Sequence, residues 1–488
     1  MKSASSPNIL IILDDREYAA DEVSGLVGNR RFGDIIFKRR RLSEHLKSTL
    51  PPWARAKLMH VRSAQDLAAV REYIEAGSEE MSACIIAGRA GFTDGQRLHQ
   101  LIERLPYAEE DFTDRLYKPL FVFLHNAHDL ISRWPALEGG PVHTWEQAWQ
   151  DCPRLESVLP LDLGRIRDFL SFTTGATATR YFNAVQIDSY YYTKSSTDKR
   201  KMRAEYSFYE SVPESMRPWL IQPFDFQENG DRASYKMMRY YLADAALQWV
   251  HDAFDAESFS AFVDRLLFFI AQRPRQACTR AASAAVARDL FVDKVQARAR
   301  QFLQMEEGQR IDRLVASATP ALGLEQQLKR YLALYARHEK QFAFEHAVAG
   351  HGDPCFSNIL YDQQRYLMKF IDPKGAMTPQ EVWTHPLYDL CKVSHSVLGD
   401  YDFINNGLYR VGFTEGNDLE LHIDHGRQPQ LKPDFKRRVK ALGHDVKIMR
   451  LGEASLFLSM LPLHIDHPNK VIAFLLTAHS ILDEVEND

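Results

Sequence analysis

From His351 the chain reads HGDPCFSNILYDQQRYLMKFIDPKG, with Asp353 and Asn358 five positions apart and Asp372 a further 14 beyond Asn358. Phosphoryl transfer asks a protein for a carboxylate near the attacking hydroxyl, oxygen ligands for Mg2+, and cationic or backbone donors for the phosphates. An Asp and an Asn on one loop meet the first two needs. Asp353 can orient or deprotonate an acceptor hydroxyl, and Asn358 can offer its amide oxygen to a metal. NILYD and RYLMKFID read as two short strands of a hairpin. Such a hairpin returns Asp372 beside the loop, where it can bind a metal bridging phosphates, and Pro373 and Gly375 then break the strand. Each residue alone also fits an ordinary turn. The combination of HxDxxxxN, an apolar hairpin and a hydrophobic pair before Asp is much rarer.

The elements that must position these residues belong to a long chain of ordinary composition. Its 488 residues point to two or three domains. Hydrophobic residues are 45% and charged residues 26%, as in soluble globular proteins. A net charge of −5 gives no general pull toward nucleic acid or anionic membrane. The five cysteines, at 84, 152, 278, 355 and 391, form no CxxC pair, which argues against a zinc site or disulfide framework and suits a reducing cytoplasm. NILIIL near the N-terminus reads as a buried strand rather than a signal peptide, and no run of 18 apolar residues suggests a membrane span.

The first 150 residues alternate short apolar runs (8–13, 34–37, 56–61, 83–87 and 119–124) with helical patterns. One helix is framed by Ser63 as N-cap and Gly77 as stop. This alternation predicts an α/β domain with a mostly parallel, Rossmann-like sheet. Asp14 and Asp15 would stand at its carboxyl edge, where such sheets bind ligands. The GxGxxG fingerprint is absent, so a degenerate nucleotidyltransferase-like domain, a partner-docking domain and a regulatory domain all remain open. EGGPVH marks an exit from the domain. From about 160 the texture turns to Thr, Tyr, Val and Phe, which predicts antiparallel strands. A helix follows over TDKRKMRAEYSFYES, capped by Thr197 or Asp198 and stopped at Pro213, and then two further strands. From 242 to about 346 the pattern is helical, and it is helical again toward the C-terminus.

HGDPCFSNIL and FIDP resemble the catalytic loop and metal-binding Asp of the aminoglycoside phosphotransferase and choline kinase branch of the protein-kinase-like fold. YDLCKVSHSVLGDYDFIN, from Tyr388 to Asn405, is similar to a segment of phosphotransferases associated with bacterial capsule and surface-polysaccharide genes. The resemblance spans about 165–480 and implies an α+β, two-lobed kinase-like domain with an N-lobe over 160–245 and a helical C-lobe over 246–488. It implies Lys194, at the end of SYYYTK, on the α- and β-phosphates of ATP, with Glu205 holding Lys194 and Glu210 as the competing partner. It implies a phosphate-covering loop over SFTTGATATRYF, with Gly175 and Thr177, and an adenine-binding strand end at Met238. It also implies that His351 and Asp389 support the catalytic loop and that Asn358 and Asp372 hold Mg2+. Lys374 departs from the protein-kinase pattern and reads as a solvated lysine, and His395 as a packing residue.

The reading that follows is an ATP- and Mg2+-dependent cytoplasmic kinase for a small-molecule hydroxyl acceptor, a sugar or amino alcohol used in surface glycans. A protein partner would be met through the N-terminal domain. The rivals are a kinase-like fold acting on a protein, by phosphorylation or nucleotidyl transfer, and a non-catalytic scaffold. The absence of an APE motif after Asp372 disfavours a regulated protein kinase, and the presence of Lys194, Asp353, Asn358 and Asp372 disfavours the scaffold.

Overall fold

In the computed structural model of the chain, residues 7–487 are described apart from 78–79, 117, 139–147, 150, 157–159, 174–182 and 417. Contacts divide the chain into two compact units, Met1–Ala178 and Thr179–Asp488.

In the first unit, five strands form one sheet: β1 (Ile9–Asp14), β2 (Leu58–Val61), β3 (Ser82–Ala87), β4 (Phe112–Thr113) and β5 (Phe121–Leu124). Their order is β2-β1-β3-β5-β4. Ile9 to Leu13 are all buried, which is why β1 is a continuous apolar run rather than an alternating one. Helix α1 (Ala64–Glu75) starts where the Ser63 hydroxyl accepts the Asp66 N–H, and α2 (Gly95–Arg104) is capped in the same way by Asp94.

The sheet is mixed rather than mostly parallel. β1 runs parallel to β2 and β3, but β5 is antiparallel to both β3 and β4. The cause is a tight return between β4 and β5. There the buried carboxylate of Asp114 accepts the N–H groups of Leu116, Leu120 and Phe121, which folds β5 back between β3 and β4. The apolar run at 34–37 stays outside this sheet, with Ile36–Phe37 pairing only with Arg40–Arg41. Leu161–Asp162 pairs with Ala90–Gly91, and Phe172 of the helix Ile166–Thr173 stacks on Phe37. The GGPVH part of the expected exit turn lies outside the described residues.

The second unit opens with an antiparallel sheet of β6 (Asn183–Ile187), β7 (Tyr191–Ser196), β8 (Pro223–Asn229) and β9 (Arg232–Met238), in the order β6-β7-β9-β8. Helix α3 (Lys199–Ser211), capped by Asp198, packs Met202 into a small core with Ile221, Ala233, Tyr235 and Met237. The remainder is mainly helical around a large apolar core. It includes α4 (Ala256–Gln272), α5 (Tyr388–Val397), α6 (Val446–Met460) and α7 (Pro468–Asn487). Every residue of α6 except Lys447 is buried, so it carries no polar stripe.

Two β features interrupt the expected helical stretches. Arg275–Ala277, His346–Ala349 and Trp383–Thr384 form a three-stranded sheet. Tyr409–Phe413 pairs with Leu419–Ile423, placing Tyr409, Val411, Leu419, Leu421 and Ile423 against the core. That alternation is the period-2 signature of a half-buried strand. The hairpin expected after the HGD loop is present as β10 (Ile359–Asp362) and β11 (Leu367–Phe370). Among the described residues no helix is long and apolar enough to cross a membrane.

Candidate active site

Lys194 leaves β7 with its ammonium buried, and two carboxylates meet it. Glu205 Oε2, on α3, lies 2.6 Å from Lys194 Nζ, and Asp372 Oδ1, just after β11, lies 3.0 Å away. Tyr235 Oη donates a third contact to Glu205 Oε2 at 3.0 Å. Burial works against the lysine charge, but Asp372 and Glu205 outweigh it and raise its pKa. Burial also raises the pKa of Glu205, against the pull of Lys194. Glu210 points elsewhere, to Arg217 at 3.4 Å, and is exposed. Five positions along a helix turn a side chain by more than a quarter circle, so only one of the two glutamates can face β7.

The segment after Asp372 is tied to the helix that carries Glu205. Ala376 N–H donates to the Ala204 carbonyl at 3.0 Å. Gly375 has φ 92°, and a Cβ there would lie 2.8 Å from the Ala204 carbonyl carbon. Only glycine permits this approach. Asp372 itself sits at φ 55°, in the left-handed region that is costly for a residue with a side chain.

The loop from His351 to Asn358 is held from beneath. Asp389, fully buried at the start of α5, accepts the His351 N–H at 2.9 Å and the Gly352 N–H at 2.8 Å. Its charge is matched by Arg273 at 2.9 Å, whose other nitrogens donate to the carbonyls of Ile270 and Pro386. His351 Nδ1 accepts the Asp353 N–H at 3.3 Å, and burial lowers the His351 pKa. Asn358 donates its amide nitrogen to the Asp353 carbonyl at 2.9 Å. An amide held by its nitrogen keeps its oxygen as the acceptor for a cation.

Asp353 is 40% exposed, and its Oδ1 lies 3.0 Å from Lys392 Nζ. Burial pushes its carboxyl upward, but the Lys392 ammonium overrides that and holds the pKa below the usual carboxylate range. Sequence reasoning passed over Lys392 and Arg273. The available signal was spacing, since Lys392 is three positions after Asp389 and so on the same helix face.

Other expected residues fall in different places. Met237 is in the small core, whereas Met238, at the end of β9, is 52% exposed. Lys374 is exposed, and its backbone N–H donates to the His351 carbonyl. His395 is buried and stacks on Tyr401 at 4.2 Å. Gly175 and Thr177 lie outside the described residues.

No three His, Cys, Asp or Glu side chains converge on a metal position among the described residues. The pair Asp372 and Asn358 nevertheless fits Mg2+, which takes few protein ligands and completes its shell with phosphate oxygens and water. Asp372 is 33% exposed, and a carboxylate whose Oδ1 meets Lys194 Nζ at 3.0 Å keeps further lone pairs that can take a cation.

Several solved structures are similar to this chain. An apo thermostable mutant of aminoglycoside phosphotransferase APH(4)-Ia is 10% identical, with a TM-score of 0.34 over 65% of this chain and 98% of that one. A ternary complex of such a mutant with AMP-PNP and hygromycin B is 12% identical, with a TM-score of 0.36 over 64% and 92%. Spectinomycin phosphotransferase APH(9)-Ia, with ADP and spectinomycin bound, is 11% identical, with a TM-score of 0.37 over 64% and 91%. No family model matches the chain, and neither does any curated protein. These likenesses lie far below the level at which a shared activity follows.

Proposed function

We propose that residues 179–488 are the catalytic part of an ATP- and Mg2+-dependent kinase. It phosphorylates a hydroxyl of a small polar metabolite, a sugar or amino alcohol of surface-polysaccharide synthesis. The observation that carries the reading is Lys194, 2.6 Å from Glu205 and 3.0 Å from Asp372, with Asp372 joined through one hairpin to the loop of Asp353 and Asn358.

Lys194 holds the α- and β-phosphates, and Glu205 holds Lys194 in place. Asp372 and Asn358 are the residues that would hold Mg2+, which when bound offsets phosphate charge. Asp353 orients the acceptor hydroxyl and takes its proton as that oxygen bonds to the γ-phosphorus. The bond from the γ-phosphorus to the bridging oxygen breaks, and its electron pair leaves on ADP. Asp353 suits this role because Lys392 keeps it ionised, and an ionised carboxylate only accepts.

The test is ATP consumption by the purified protein across sugars and amino alcohols, with products identified by mass and with a protein acceptor as control. The expected result is ADP formation coupled to one phosphorylated small molecule. Absence of Mg-ATP binding, or phosphate found only on the protein control, defeats the reading.

A further inference from the structure

Lys194 is bound on two sides by carboxylates, and the loop between Asp353 and Asn358 reads Pro, Cys, Phe, Ser, with no lysine or arginine. A loop that handles a transferring phosphoryl group therefore brings no cation of its own. One arrives from α5. Lys392 is 13% exposed, and its Nζ lies 3.0 Å from Asp353 Oδ1.

Asp389 and Lys392 work as a pair on one helix face. The first clamps the loop amides at 351 and 352, and the second clamps the carboxylate at 353. The groups facing the Asp353–Lys392 pair are His351 and Cys355 of the loop, Tyr388 and His395 of α5, and Tyr401 and Asp402 just beyond it. None of them supplies a second cation. Burial lowers the pKa of His351 and pushes that of His395 down to about 3, which disfavours the charged form of each ring. An ammonium carries three N–H donors, and Asp353 is the one ion-pair partner of Lys392 among the described residues. Burying a lysine charge is costly, and a single half-exposed carboxylate is a modest return for it.

We infer that Lys392 is the second phosphate-contacting cation of this site and meets the γ-phosphoryl group as it passes from ATP to the acceptor hydroxyl. The inference rests on the kinase reading. The bonds made and broken are those already stated: acceptor oxygen to γ-phosphorus formed, γ-phosphorus to bridging oxygen broken, and the hydroxyl proton taken by Asp353. Lys392 neither gives nor takes a proton. It stabilises charge on the transferring oxygens and holds the Asp353 carboxylate in place.

The experiment uses the full chain, with Mg-ATP turnover in water or with the acceptor found above, in wild type, Lys392→Met and Lys392→Arg. Lys392→Met is expected to lower kcat by ~10²–10³-fold while the calorimetric Kd for Mg-ATP stays within about twofold. Lys392→Arg should recover a large part of kcat. A folded Lys392→Met protein with wild-type kcat overturns the inference. So does joint loss of folding and Mg-ATP binding that Lys392→Arg does not rescue, since that marks a purely structural lysine. A wild-type protein that neither binds nor turns over Mg-ATP removes the kinase reading, and this inference with it.

Discussion

Each unit of this molecule gathers acids and bases at strand ends, and the two clusters differ in how far their charges are used up. In the first unit, Asp14 is held by Arg16 through two bonds of 2.8 Å. Asp15, 1% exposed, accepts the Gly33 N–H at 2.7 Å and faces His60 at 3.3 Å. A Cβ on Gly33 would come within 2.3 Å of Asp15 Oδ2, and one on Gly88 within 2.5 Å of Oδ1. Arg62 meets both Asp34 and Asp15, and Arg89 meets Glu17 and Asp162. In the second unit, Asp372 and Asp353 are 33% and 40% exposed, each is paired with a lysine, and Asp372 is in a strained backbone region. Both clusters stand at strand ends, but Asp15 is closed off from solvent whereas Asp372 and Asp353 are partly exposed. Position at a strand end does not make a site; a partly exposed carboxylate held in strained backbone points to one.

The comparison can be broken most sharply at Asp353. Asp353→Asn should cut turnover by ~10²–10⁴-fold and leave Mg-ATP binding nearly intact, whereas Asp15→Asn should leave kcat unchanged. Retention of more than half of wild-type kcat in Asp353→Asn would sink the assignment.

The next largest effect belongs to the support beneath the loop. Arg273→Met strands the buried Asp389 charge, and its denaturant midpoint should report a loss of ~3–5 kcal/mol. A stability equal to wild type would show that the pair does not carry the loop.

Asp372→Ala should abolish the stabilisation that Mg-ATP confers. For wild type at about 100 times Kd that is ~2.7 kcal/mol, read as a thermal shift. An undiminished shift in the variant contradicts the metal role, and a diminished shift in Asp15→Asn would mean that the first unit takes part in nucleotide binding.

The smallest effect is a pH dependence. Burial pushes the Asp402 carboxyl, behind the loop, up to about 7. Such a group holds its proton longer when folded than when unfolded, so it costs stability as pH rises from the usual carboxylate range toward about 7. Asp402→Asn removes that cost. Its stability advantage over wild type should grow by about 1–2 kcal/mol between about pH 5 and pH 7, and a constant difference across that range would show that Asp402 does not titrate there.

Much of the second unit was legible because its signals are local. The spacing of Asp353, Asn358 and Asp372 around an apolar hairpin survives into the structure as a loop, β10 and β11. The Asp198 cap and the start of α3 were readable for the same reason. The hairpin at 409–423 was missed, because a five-residue alternation is easily absorbed into neighbouring helical patterns. Met238 was placed correctly at a strand end, and its exposure beside the buried Met237 follows the two-residue period of β9.

The sequence by itself determined the residue types of the site, their order along the chain, and the helices and hairpin that carry them, because caps, periodicity and turn residues act over a few positions. Tertiary structure alone decided which glutamate meets Lys194, that Lys392 reaches Asp353 across 39 positions, and that Arg273 meets Asp389 across 116. It also decided that β5 runs against β3, since a strand buried on both faces reads the same in either direction. These outcomes depend on which buried charges can find partners when distant segments pack, and that competition is settled only when the whole core forms.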